Sequence, residues 1–77
     1  MNVTLYTKHG CNLCDEAEDI LRAMQKVIQF ELAFVYIEDE PALLDSLGDR
    51  VPVLHVDGRE VESAPIDEAA LQAVLSA

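Results

Sequence analysis

The chain has 77 residues, is 51% hydrophobic and carries a formal charge of −10 at pH 7, from 15 acidic residues against 5 Lys and Arg. That length makes a single small domain spanning residues 1–77, and the apolar share favours a folded core over a disordered chain. The acid excess would repel phosphate backbones and anionic lipid, so neither nucleic acid nor a membrane is an expected partner.

In chain order, residues 3–6 alternate as a strand and residues 7–10 form the loop leading to Cys11. Leu13, Ala17, Ile20, Leu21, Met24 and Ile28 then recur at helical spacing, with Asp15, Glu16, Glu18, Asp19, Arg22 and Lys26 on the other side. This pattern predicts a long amphipathic helix. Residues 32–37 are a compact β-branched and aromatic run, which predicts a strand buried on both faces of a sheet. Glu40-Pro41 marks the start of a short helix that ends at Gly48.

Residues 51–56 and 59–62 flank Asp57-Gly58 and predict a hairpin with a two-residue type I′ turn. Residues 63–67 lead to a last helix with Ile66, Ala70, Leu71, Val74 and Leu75 as its apolar stripe and Asp67 as its cap. The order β-α-β-α-β-β-α implies a parallel crossover followed by an antiparallel hairpin. The expected class is α/β, a four-stranded mixed sheet with helices on both faces.

The chemistry concentrates in Cys11-Asn12-Leu13-Cys14, which holds both cysteines of the chain. Two cysteines three apart on the first turn of a helix lie close enough to form a disulfide, and the helix N-terminus favours a thiolate there. Cys14 falls in register with Ala17, Leu21 and Met24 and is expected to point inward as the resolving thiol. Cys11 sits where the chain leaves a loop and is expected to be the accessible nucleophile. Lys8, His9 and Arg50 could add positive charge, and Asp15, Glu16, Glu18 and Asp19 oppose it, so thiolate stabilisation is expected to be modest.

A metal site at the same cysteines would have only His9 and His55 as further soft ligands, a weak zinc signature, and no metal is expected. A binding module that docks a partner, or holds a metal jointly with one, without turnover is the alternative from another class. In simpler structural readings Lys8 is a solvated loop residue, Arg50 pairs with Asp49 or Asp45, His55 is structural, and Tyr6 and Tyr36 are core or edge aromatics. With no signal-peptide pattern and no apolar run long enough to span a bilayer, the expected setting is the cytoplasm, where a lone cysteine pair is more often catalytic than structural. A monomer is expected.

The element order, the run from Thr7 to Cys14 and Arg50-Val51-Pro52-Val53 together resemble the thioredoxin fold, and most closely its small glutaredoxin-like branch. The resemblance implies a thiol-disulfide oxidoreductase, with Cys11 and Cys14 catalytic and protein or low-molecular-weight disulfides as substrates. It implies that Pro52 is cis, with the Val51 peptide facing the sulfurs and offering backbone hydrogen bonds to a bound thiol. It also sets Lys8 and Asp67 where the family's glutathione contacts fall, and Arg50 beside the cis bond. No cofactor beyond the redox-active disulfide is implied, and electrons would come from glutathione or a thioredoxin-reductase-type donor. Asn12-Leu13 replaces the usual Pro-Tyr, and Ser63-Ala64-Pro65 stands where glutaredoxins carry a Gly-Gly pair that lets glutathione approach. Weak turnover with glutathione is therefore expected.

Overall fold

The computed structural model describes residues 1–76. The chain runs β1 (Asn2–Thr7), α1 (Asn12–Met24), β2 (Glu31–Tyr36), a short 3-10 helix (Ile37–Asp39), α2 (Pro41–Leu47), β3 (Val53–Val56), β4 (Arg59–Ser63) and α3 (Glu68–Ser76). The strands lie in the order β2-β1-β3-β4, with β1 parallel to β2 and the other two pairings antiparallel. Element order and mixed sheet are as the sequence predicts.

Alternation along β1 divides the core. Val3 and Leu5 point to one face, where Leu5 stands opposite Leu54 of β3, and both pack with Ala17, Leu21 and Met24 of α1 and Leu71 and Leu75 of α3. Tyr6 and its partner Val53 point to the other face, where Val53 packs with Ile37 and with Leu47 of α2. Helices α1 and α3 therefore cover one face and α2 the other. Each fully buried Leu contributes about 1.5–3 kcal/mol relative to an exposed one, which is how so short a chain assembles two packed layers.

Three sequence expectations are corrected. Residues 32–37 do not form a strand buried on both faces: β2 is an edge strand pairing only with β1, and its residues are exposed or half-buried. A short apolar run carries no information on whether its strand is central. The interior strands of the sheet are β1 and β3, and Val53 and Leu54 of β3 are both fully buried. Ile37 leaves the strand altogether and is buried in the 3-10 helix.

The long helix stops at Met24, so Ile28 belongs to the turn beyond it, where its N–H donates to the Met24 carbonyl at 2.8 Å while its side chain still packs on the core. Leu13, expected in the buried stripe, is 50% exposed, because Cys14 takes the inward position of the first turn.

The hairpin turn has Asp57 at φ 51° and Gly58 at φ 86°, the pair of left-handed residues that a type I′ turn requires. Asp67 caps α3 as expected, its Oδ1 accepting the Ala69 N–H at 3.1 Å. The Val51–Pro52 peptide is cis, and so is Ala64–Pro65, for which the sequence carries no signal.

A candidate dithiol redox site

Strands β1 and β2 end, and β3 begins, at the same end of the sheet, since Thr7 pairs with Tyr36 and Tyr6 with Val53. The loops following β1 and β2 and the one preceding β3 converge there. Cys11 occupies the N-cap of α1 in an extended conformation, with φ −110° and ψ 108°. Its Sγ accepts the Cys14 N–H at 3.2 Å and its carbonyl accepts the Asp15 N–H at 3.0 Å. Ser, Thr, Asp or Asn usually holds this position, where a side-chain acceptor satisfies a free amide of the first turn. Here the sulfur of a half-buried cysteine does so.

Cys14 lies one turn on and is 1% exposed, packed with Ile37, Leu47, Val51 and Val53 and flanked by Tyr6, Cys11 and Leu43. Burial pushes its thiol pKa up, and the hydrogen bond with Cys11 adds to this, while donation from the Thr7 hydroxyl and the Lys8 amide partly offsets it. Both cysteines are free thiols. The site thus pairs a half-buried cysteine at a helix N-terminus with an enclosed one a turn away, whose thiol pKa burial raises.

The other expected site residues divide into two groups. Val51, whose peptide to Pro52 is cis, packs in the cluster that contains both sulfurs, and Pro52 is fully buried. Lys8 approaches Cys14 through its backbone, while its ammonium donates to the Gly48 carbonyl at 3.4 Å, near the C-terminal end of α2. Arg50 is directed away, its guanidinium pairing with Glu60 of β4 rather than with Asp49 or Asp45. Asp67 is engaged as the cap of α3, and its N–H donates to Glu62.

Two contributors were not singled out from sequence. Thr7 is buried beside Cys14, which the alternation Val3, Leu5, Thr7 could have indicated. Glu38 binds the loop before Cys11. Its two carboxylate oxygens accept the His9 N–H at 3.1 and 3.0 Å, and Oε1 lies 3.2 Å from His9 Nδ1. The His9 ring stacks on Tyr36 at 4.3 Å and 12°. No local pattern announces a contact between residues 29 apart.

Among the described residues no group of three or more His, Cys, Asp or Glu is placed to hold a metal ion. His55 instead packs its ring against Tyr6 at 4.7 Å. A surface hollow of about 400 Å³, lined by Met1, Val56, Asp57, Arg59, Val61 and Val74, lies at the opposite, hairpin end of the sheet and includes neither cysteine. Among the described residues no helix is long and apolar enough to cross a membrane.

This sheet order, with a Cys-x-x-Cys at the first strand–helix junction and a cis proline before the third strand, defines a thioredoxin-fold protein. Residues 2–76 match the Glutaredoxin-like domain (DUF836), and the chain belongs to that family. It is similar to the X-ray structure of XcR50 from X. campestris, with 40% identity, TM-score 0.78 and coverage of 96% of this chain and 95% of that one. It is also similar to the solution structure of Ne2328 from Nitrosomonas europaea, with 33% identity, TM-score 0.82 and coverage of 96% and 89%. A mutant thioredoxin from Halobacterium salinarum superposes with TM-score 0.70 at 25% identity, over 97% of this chain and 71% of that one. An uncharacterised protein of Mycobacterium tuberculosis is 30% identical over 92% of this chain and 78% of its own length.

Proposed function

We infer that this protein is a thiol-disulfide oxidoreductase of the cytoplasm. The observation that carries the reading is the pairing of sulfurs: Cys11 at the α1 N-cap with an amide N–H on its Sγ, and Cys14 enclosed beside it. The arrangement sets a backbone N–H and the N-terminus of a helix against the sulfur that attacks.

In the reaction, the Cys11 thiolate attacks one sulfur of a substrate disulfide, forming a mixed disulfide and expelling the other sulfur as a thiolate that takes up a proton. Cys14 then loses its proton and attacks Cys11 Sγ, releasing the second substrate thiol and forming the Cys11–Cys14 disulfide. Two electrons pass from the cysteine pair to the substrate. Glutathione or a thioredoxin-reductase-type donor returns them, and no further cofactor takes part. Val51, beside the sulfurs at the cis peptide, is suited to hold the substrate chain through its backbone.

The test is reduction of a protein disulfide by the reduced protein and by its Cys14→Ser variant. The wild type should release free substrate thiols and acquire one internal disulfide, and Cys14→Ser should accumulate a mixed disulfide at Cys11. Inert thiols in both would leave a partner-docking domain without turnover as the better account.

A further inference from the structure

The end of the sheet that holds the dithiol carries several carboxylates, with Lys8 and Arg50 as its cationic side chains. Of the Lys and Arg side chains, Arg22 and Lys26 lie at the far end of α1 and just beyond it, and Arg59 follows the hairpin turn at the end opposite the cysteines. Arg50 is paired with Glu60, and the Lys8 ammonium donates to Gly48. Around Cys11 the topology gathers Asp15 and Glu16 on the first turns of α1, Glu38, Asp39 and Glu40 after β2, and Asp49 after α2. Glu38 is fastened to His9, two residues before the nucleophile.

Large apolar side chains are exposed at this same end. Leu13, between the cysteines, is 50% exposed, and Tyr36 beneath the His9 ring 37%. Leu43 of α2 packs against the cluster that holds Cys14. Exposed apolar side chains with carboxylates among their neighbours fit an extended partner with an apolar residue near its disulfide and basic residues on its flanks.

We propose that the dithiol end of this protein is a docking surface for a basic protein segment carrying a disulfide. The proposal rests on the oxidoreductase reading and names its substrate class. The flanking Lys or Arg residues of the partner meet the carboxylates of Glu16 and Asp39, and an apolar residue beside its half-cystine covers Leu13 and Tyr36. Glutathione disulfide, a small anion, gains nothing from this surface and is repelled by it. The exchange chemistry is unchanged, two electrons passing from Cys11 and Cys14 to the partner's disulfide.

Two symmetric peptide disulfides, identical except for Lys or Glu on both sides of a Leu-Cys core, test it together with glutathione disulfide. Each is mixed with the reduced protein, formation of the Cys11–Cys14 disulfide is timed, and each rate is divided by that of the same disulfide with dithiothreitol to remove intrinsic reactivity. At low ionic strength the Lys peptide should react at least about tenfold faster than the Glu peptide or glutathione disulfide. That ratio should collapse toward unity at 1 M salt, where the screening length is about 3 Å. The Glu16→Lys/Asp39→Lys variant, altered at two exposed positions, should lose most of the preference while reacting normally at high salt. Equal normalised rates at low salt, or a preference insensitive to salt and to the double variant, would overturn the docking proposal and leave the oxidoreductase reading intact. If none of the three disulfides oxidises the cysteine pair, the oxidoreductase reading fails and the docking proposal with it.

Discussion

Differential alkylation of the two cysteines tests the role assignment directly. In the reduced protein Cys11 is only half-buried, whereas Cys14 is 1% exposed and must open to react. Opening the first turn of α1 breaks the N–H contact to Cys11 Sγ, worth about 1 kcal/mol. It also uncovers Cys14 and parts of Ile37, Leu47, Val51 and Val53, the equivalent of two or three methylenes at about 0.8 kcal/mol each. The sum of about 3 kcal/mol corresponds to roughly a hundredfold slower reaction, since each 1.4 kcal/mol is a factor of ten. The raised pKa of Cys14 lowers its thiolate fraction at neutral pH and widens the gap further. Limiting iodoacetamide at pH 7 followed by peptide mass mapping should therefore find Cys11 modified at least about a hundredfold faster. Comparable rates, or faster labelling of Cys14, would refute both the register of α1 and the assignment of nucleophile and resolving thiol.

Four further outcomes are expected. Because burial raises the Cys14 pKa on folding, its contribution to stability is complete below the unfolded-state value of about 8.5 and is lost as pH rises through the folded-state value; urea midpoints should decline on the alkaline side, and less so in Cys14→Ala. Leu21→Ala, in the fully buried face of α1, should cost about 3 kcal/mol and lower Tm by roughly 15 °C in a thermal scan followed by circular dichroism. Gly58→Ala should cost about 1 kcal/mol through backbone strain alone, since φ is 86° and nothing lies within 4 Å of the position the added methyl would take, and chemical denaturation would detect it. Chelator should leave the circular dichroism spectrum unchanged, and loss of structure would move a metal-holding role to first place.

Much of this protein is local in origin, and the sequence by itself determines that part. The helical spacing of Ala17, Leu21 and Met24 placed Cys14 inward, because a period of 3.6 residues sets which side chains share a face before any partner is known. Asp57-Gly58 specified its turn through the φ values those two residues tolerate, and Asp67 its cap through a side chain short enough to reach a free amide. The cis peptide at Val51–Pro52 came from the resemblance, for nothing in the local chemistry of that dipeptide demands it.

What the tertiary structure alone decided are the relations between distant segments. Residues 32–37 look like an interior strand because their composition is apolar, but whether a strand is central depends on which strands flank it, and here β1 and β3 are the interior strands and β2 lies at the edge. Ile37 turned out of the strand to cover Cys14 and Glu38 fastened the loop before Cys11, each through contacts with residues far away in sequence, and Arg50 was drawn across to Glu60 of β4. Periodicity assigns a side chain to a face, whereas what that face meets is set by how the layers pack, and it is at such a meeting of loops that the two sulfurs acquire different surroundings.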